Sequence, residues 1–419
     1  MSAAFLRLSS ASTYDNAMRN IGARHSNLSA LQENLTSGKR VLRASDDPTS
    51  ASIAERSLTR MSRISAEQRA LASQRNSITQ AESVLGDVTD ALHRFRDLTV
   101  SAGNGTYTTM ERKTIARELQ ALRDQIFTLA NQEDSNGLPL FSSLGSALKP
   151  FAGPQANTPD YTFNGLPGQA GSSALSIPFA LDGDSAFMLA ATQNASYNVR
   201  LSGTNPNLRA SVVSVTDPTL LNGSSYSISN IRTATVVPAT VPATNQATYD
   251  LVETPVGTST PLPAVVAVGP TFPSNSSITL SLPGMTLTLT GPITAVDTVS
   301  ISPNVSLFSV LDNAIKDIGE ASNNTSASQA VGQALHNIDI GLQNVSAVRG
   351  QAGALLNRAD RISDHQEKRN VQMEADRSRA EDLDIVKGLS DFELQQAGLQ
   401  AALQTYAQIQ KISLFNFIS

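Results

Sequence analysis

Residues 64–95 read ISAEQRALASQRNSITQAESVLGDVTDALHRF. Ile64, Leu71, Ile78, Leu85 and Leu92 fall seven apart, and Ala81, Val88 and Phe95 fill the second seam position in the C-terminal half. In the N-terminal half Glu67 and Gln74 take those seats, so the seam is thinner there. A seven-residue apolar repeat marks a helix that packs along its length against another helix. The pattern extends outward to about residues 49 and 101, roughly 80 Å at 1.5 Å per residue. Gly103-Asn104-Gly105 breaks it, and Thr108-x-x-Glu111 fits a capping box that opens a third helix. There Ile115, Leu119, Leu122, Ile126 and Leu129 step four, three, four, three, as an antiparallel partner of the second helix would.

Upstream, a helix is expected over about 10–36, with Leu28, Leu31 and Leu35 on one face. Gly38 suits a left-handed stop after it. Asp46 or Asp47 can cap the next helix, with Pro48 preset for its first turn. Downstream, Ile338, Leu342, Val345, Val348, Ala352, Leu355, Ala359 and Ile362 form another long row, and that helix runs on to about 380. A last helix carries Ile385, Leu389, Phe392, Leu399, Leu403 and Tyr406, and the chain closes on Ser413-Leu414-Phe415-Asn416-Phe417-Ile418.

The middle is different. Seventeen of the 19 prolines lie between Pro150 and Pro303, and residues 141–307 hold only 11 of the 67 charged side chains. Strand-like runs occur at 197–201, 210–215, 225–231, 264–268, 278–282 and 285–289, which argues for an antiparallel sandwich or barrel. The expected fold is therefore α+β: a long antiparallel helical bundle or coiled coil built from both chain ends, with an inserted all-β domain. Its parts are an N-terminal arm 1–45, a bundle of 46–140 plus 306–381, a β domain 141–305 and a C-terminal arm 382–419.

Chemistry is sparse. With no Cys and four His among 419 residues, thiol catalysis, Cys-ligated metals and multi-histidine sites have no raw material. The net charge of −5 argues against a globally basic nucleic-acid binder. No apolar run approaches a membrane span, and the first residues lack the apolar core of a secretory signal. Gly38-Lys39 fails as a phosphate loop, because Glu33 stands at the required first Gly and Arg40 replaces Ser or Thr. Asp46 and Asp47 could form an acid–base pair, but helix capping explains them more simply. His25 and His93 read as exposed helix positions. Arg outnumbers Lys 24 to 7, which base composition explains before any bridging role does. No catalytic residue, cofactor site or metal site is expected. Residues 1–45 hold six basic and two acidic groups, whereas 382–419 hold two basic and four acidic. Amphipathic arms of opposite sign suit pairing with each other and with neighbouring copies.

Several stretches together resemble one family. Leu31-Gln32-Glu33-Asn34-Leu35-Thr36-Ser37-Gly38-Lys39-Arg40-Val41, then Ser45-Asp46-Asp47-Pro48, is similar to the N-terminal signature of the bacterial flagellin superfamily. Asn136-Gly137 to Phe141 with Pro150-Phe151 resembles its exit from the helical domain, and Ser306 to Asp312 its re-entry. Asn344-Val345-x-x-Val348-Arg349-Gly350-Gln351-x-Gly353-Ala354-x-x-Asn357-Arg358 resembles its C-terminal helix, and Asp382-Leu383-Asp384 with Gln400 to Leu414 its terminal one. Pro48 resembles the hook–filament junction branch, where filament flagellins have a different step. The opening Met1 to Arg7 is offset from that branch's short start.

The resemblance implies a non-enzymatic structural adaptor between a hook-associated ring and the filament; a filament flagellin is the alternative. It implies export unfolded through the flagellar type III apparatus to the extracellular flagellum. The implied partners are further copies in a ring, the first hook-associated protein, flagellin and a cytoplasmic export chaperone on the C-terminal helix, with no nucleic acid and no membrane. Leu28, Leu31, Leu35, Leu389, Phe392, Leu399, Leu403 and Tyr406 are the expected subunit-interface residues. Gly38, Asp46, Asp47 and Pro48 form the expected structural turn.

Overall fold

The computed structural model describes residues 2–155, 160–194, 196–203, 207–235, 244–258, 260–273 and 277–418. Three long helices come first: α1 (Ser2–Ser37), α2 (Pro48–Ala102) and α3 (Thr109–Ala130). A linking region holds β1 (Phe151–Ala152), β2 (Thr162–Phe163), α4 (Gly183–Phe187) and α5 (Ala191–Asn194). Then follow β3 (Tyr197–Ser202), β4 (Arg209–Ala210), β5 (Ser214–Val215), β6 (Ser225–Thr235), β7 (Thr244–Thr254), β8 (Val265–Pro273), β9 (Ile278–Leu282), β10 (Met285–Thr290) and β11 (Thr298–Pro303). The chain returns to helix with α6 (Leu307–Glu320), α7 (Asn324–Glu381) and α8 (Ile385–Ile418). It divides into two compact units, residues 70–362 and residues 1–69 with 363–419, so the division falls inside α2 and α7 rather than at 45/46 and 381/382.

In the 70–362 unit the heptad seam is the core. Ile78, Leu85, Leu92, Ala81, Val88 and Phe95 are fully buried, with Leu119 and Ile126 of α3 and Ile338, Val345 and Ala352 of α7. Each buried Leu or Ile contributes about 1.5–3 kcal/mol relative to exposure. Antiparallel order is written in the cross-helix pairs. Arg75 meets Asp360 at 3.1 Å, Glu82 meets Arg349 at 2.7 Å and Arg96 meets Asp339 at 3.0 Å, so α7 descends as α2 rises. Helix α3 runs back along α2 through Arg94–Glu118 at 3.4 Å and Ser77 Oγ donating to Asp134 at 3.0 Å. Every described ion pair between different helices of this unit uses an arginine. Thr108 and Glu111 close the capping box at the start of α3. Helix α6, which the sequence reading did not separate, packs along α3 with Arg123 Nε 2.7 Å from Asp312.

Residues 141–189 were expected to open the β domain. Their side chains instead enter the helical core. Phe308, at the start of α6, has the rings of Phe127, Phe151, Tyr161 and Phe187 at 5.1–5.7 Å. The Tyr161 hydroxyl donates to Asp312 at 2.5 Å. The segment has little regular structure because its order comes from these anchors, not from a backbone repeat.

The β domain proper begins near residue 196. Its five-stranded antiparallel sheet has the order β3-β11-β6-β7-β8, and a second sheet runs β4-β10-β5 with β9 on β10. Both sheets contribute to one apolar core, as in a sandwich. Tyr249 OH on β7 stitches them, donating to Ser281 O at 2.7 Å and accepting from Ser281 N at 2.8 Å on β9. Strands β7 and β11 were not anticipated. Arg200 pairs with Asp317 of α6 at 3.0 Å, and Gln333 and Asn337 of α7 donate to Tyr197 O.

Candidate functional site

The unit made of 1–69 and 363–419 holds every residue expected to act in assembly. Helices α1 and α8 pack antiparallel. The rings of Tyr14 and Tyr406 lie 5.6 Å apart, and Arg24 covers Gly398, where an added Cβ would stand 2.6 Å from Nη1. At the other end Leu35 and Leu383 cover Gly388, whose added Cβ would meet Leu35 Cδ2 at 3.3 Å. Leu28, Leu31, Leu35, Phe392, Leu399 and Tyr406 are half-buried in this unit, whereas Leu389 and Leu403 are exposed. The exposed set extends to Ile385, Val386, Leu394, Met18 and Tyr14, with Val386 at 82 %. So the arms do pair with each other, and α8 leaves apolar side chains open, Ile385, Val386 and Leu389 near its start and Leu394 and Leu403 farther along. The side chains of Ser413-Leu414-Phe415 lie outside the described residues.

Between α1 and α2 the chain folds against the turn between α7 and α8. Gly38 takes φ +69°, the left-handed region open to a residue without Cβ, and its carbonyl accepts from Leu383 N at 2.9 Å. Lys39 and Asp382 form an antiparallel bridge, and Arg40 N donates to Glu381 O at 2.7 Å. Arg40 is a clamp of three arms: its guanidinium reaches Ala380 O at 2.8 Å, Ser50 Oγ at 3.1 Å and Asp47 Oδ2 at 3.3 Å. Glu381 takes Lys39 on one oxygen and Arg377 Nη1 at 3.1 Å on the other, while Arg377 Nη2 holds Glu374 at 2.6 Å. The Glu374 carboxylate raises Arg377 above its usual range, so this cation is permanent.

The two adjacent carboxylates do different jobs. Asp46 Oδ2 accepts from Leu42 N at 3.2 Å and Arg43 N at 2.9 Å, closing the turn before α2. Asp47 Oδ1 accepts from Thr49 N at 3.2 Å and Ser50 N at 3.1 Å, capping α2 with Pro48 at its first position. Hydrogen bonds from Ser50 and then the Arg40 cation hold the Asp47 carboxyl down to about 2. Asp384 plays the same part for α8, accepting from Val386 N and Lys387 N at 3.1 and 3.2 Å. The sequence reading missed Asp384 as a cap, although a lone Asp before an apolar helical run is the usual signal. It also missed Arg40, Arg377 and Glu381, whose partners lie more than 300 residues away, beyond the reach of any local pattern. Among the described residues no three His, Asp or Glu side chains cluster as metal ligands, and no helix is long and apolar enough to cross a membrane.

This arrangement of terminal helices has known counterparts. Residues 8–145 match the bacterial flagellin N-terminal helical region, and residues 335–418 match the bacterial flagellin C-terminal helical region, together a little over half of the chain. The chain belongs to the bacterial flagellin superfamily. Among curated members of that superfamily, flagellar hook-associated protein 3 of Salmonella typhimurium is 35% identical over 150 residues, 35% of this chain and 46% of that protein. The flagellar filament 41 kDa core protein of Borreliella burgdorferi is 35% identical over 128 residues, covering 30% of this chain and 38% of that one. The chain thus spans about half the length, or less, of the curated relatives it matches. A crystal structure of flagellar hook-associated protein-3 from Legionella pneumophila aligns with 77% of this chain and 97% of its own, at 25% identity and a TM-score of 0.56. The flagellar junction protein FlgL of the same organism gives 25% identity and a TM-score of 0.54, over 72% of this chain and 97% of its own.

Proposed function

We propose that this superfamily member is a structural adaptor of the bacterial flagellum, joining the hook-associated ring to the filament, and that it carries no enzymatic activity. The observation that carries the reading is similarity over 97% of a solved hook-associated protein 3 at 25% identity. It is supported by the Asp47-Pro48 step and by the long terminal helices. In this reading 1–45 and 382–419 are assembly arms, 46–140 with 306–381 is the helical bundle, and 141–305 is the insert. Copies form a ring. The first hook-associated protein lies on the hook side, flagellin on the filament side, and an export chaperone holds α8 before secretion.

The α8 surface on which Leu389 and Leu403 are exposed is the one that neighbouring copies cover; Leu28, Leu31, Leu35, Phe392, Leu399 and Tyr406 shape it from within. Burial of each exposed leucine contributes about 1.5–3 kcal/mol, enough when repeated around a ring to hold the joint. A deletion strain tests the reading: cells should build hooks and release flagellin into the medium. Intact filaments on such cells overturn it. Loss of flagellin synthesis or of the filament protein itself would favour the filament-flagellin alternative, which the match to the Borreliella burgdorferi core protein keeps in view.

A further inference from the structure

Four Asn-Gly steps occur in the chain: Asn104-Gly105, Asn136-Gly137, Asn164-Gly165 and Asn222-Gly223. Each is a sequence in which the glycine nitrogen can attack the asparagine side chain, because glycine adds no Cβ to block the approach. The fold treats the four very differently. We propose that Asn104 is a site of self-catalysed deamidation and that the structure protects the other three, a conclusion independent of the assembly reading.

At Asn136 both reacting groups are engaged. The amide Nδ2 donates to Asp134 Oδ2 at 3.4 Å, and Gly137 N, the nucleophile, donates to Asp134 O at 3.0 Å. At Asn222 the carbonyl oxygen likewise accepts two hydrogen bonds, from Tyr226 OH and Ser224 N, but the amide Nδ2 donates to Glu253 Oε1 at 2.6 Å, and that bond ties down the leaving group. At Asn164 the backbone N donates to Pro150 O at 2.7 Å and the amide reaches Lys149 O at 3.5 Å. Gly165 there is half-buried, with the Phe163 ring and Ser142 O close beside it.

Asn104 is the reverse case. It is exposed in the turn between α2 and α3, and neither its Nδ2 nor Gly105 N has an acceptor among the described residues. Its Oδ1, by contrast, accepts two hydrogen bonds, from Thr106 N at 3.1 Å and Thr106 Oγ1 at 3.0 Å. Two donors on the carbonyl oxygen polarise Cγ and stabilise the negative charge that oxygen takes on when Cγ becomes tetrahedral. A leaving amide that is free, a nucleophile that is free and an activated carbonyl therefore coincide.

The step balances with water as the sole co-reactant. A base takes the Gly105 N–H proton, the nitrogen bonds to Cγ, and the Cγ–Nδ2 bond breaks with a proton delivered to the departing ammonia. The resulting succinimide adds water at either carbonyl and opens to aspartate or isoaspartate. The isoaspartate product carries one more backbone atom in the turn. Gly105 O, which accepts from Asn324 Nδ2 at 2.9 Å, would be displaced, and Asn324 is the partner of the buried Arg112 at 2.6 Å. Chemical ageing at Asn104 thus loosens the contact between the α2–α3 turn and the start of α7.

The test is peptide mapping of the purified full-length chain held at mildly alkaline pH, with aspartate and isoaspartate products resolved. Asn104 should convert faster than Asn136, Asn164 and Asn222 by roughly tenfold, the factor one net hydrogen bond adds to a barrier. In denaturant the four rates should converge. Thr106→Val, which removes one donor and leaves the backbone intact, should slow Asn104 in the folded chain. The proposal is overturned if Asn104 has no lead in the folded chain, if the lead persists in denaturant, or if Thr106→Val leaves the rate unchanged.

Discussion

The ring of Tyr14 lies 5.6 Å from that of Tyr406, so the first and last helices of this chain are already joined before any second copy arrives. Pairing consumes one side of each helix. It separates residues that hold the arms together from residues that remain open to a neighbour, and the two classes should respond differently to the same change.

Leu399 and Leu403 are one helical turn apart on α8, the first half-buried and the second 48 % exposed. Leu403→Asp should leave the thermal midpoint of the soluble chain within the range of a surface change, about 0.5 kcal/mol, yet prevent filament retention in cells. Leu399→Asp should also weaken the α1–α8 pairing, visible as faster hydrogen exchange along both helices. Equal effects of the two variants on exchange would remove the distinction.

Gln366 on α7 is completely buried, and neither its Oε1 nor its Nε2 finds a partner among the described residues. An unsatisfied buried amide costs about 1–3 kcal/mol. Gln366→Leu should therefore raise the urea midpoint without altering the slope of the transition. A fall in midpoint would mean that the amide is satisfied after all.

Phe308 joins the rings that hold residues 140–189 to the helices. Phe308→Ala should cost about 3–5 kcal/mol and expose that segment to proteases between Phe141 and Phe187. Near-UV circular dichroism should report the loss of aromatic packing. Unchanged spectra and digestion would contradict the anchoring role.

Acid should act on two places with opposite sign. Asp47 is depressed from 3.8 to about 2, so its contribution is fully present above the ordinary value and is lost as pH falls through about 2, fraying the start of α2. Burial raises Asp317, which Arg200 only partly offsets; it weakens folding at neutral pH, and that loss is recovered as pH falls through its raised value. Asp47→Asn, which keeps a capping side chain, should match the parent near neutrality and flatten its acid limb between pH 4 and 2, values set by the same shift. Amide exchange at Thr49 and Ser50 followed against pH would show it.

The helical part was legible because Ile64 to Phe95 and Ile115 to Leu129 repeat at a fixed interval, and the interval alone states which side is buried. The Thr108–Glu111 box was legible because its partners are three residues apart. Strand β7, TNQATYDLVET, was not, since its outward positions are polar and its inward ones include Ala247 and Tyr249 rather than a run of branched residues. The segment 141–189 escaped for a different reason: its anchors Phe141, Phe151, Tyr161 and Phe187 have no period, and only the cavity they fill relates them. In the terminal unit the leucine rows could be read, but which of those residues α1 covers shows only when the second helix is beside them.

Strands β3 and β11, the first and last of the sandwich, are neighbours: Tyr197 stands opposite Pro303, and Asn304 N donates to Ser196 O at 2.9 Å. The chain therefore leaves the helices and comes back through a single doorway, one interstrand spacing of roughly 5 Å wide. Whatever lies beyond that doorway can lengthen or shrink while the two jambs keep their distance.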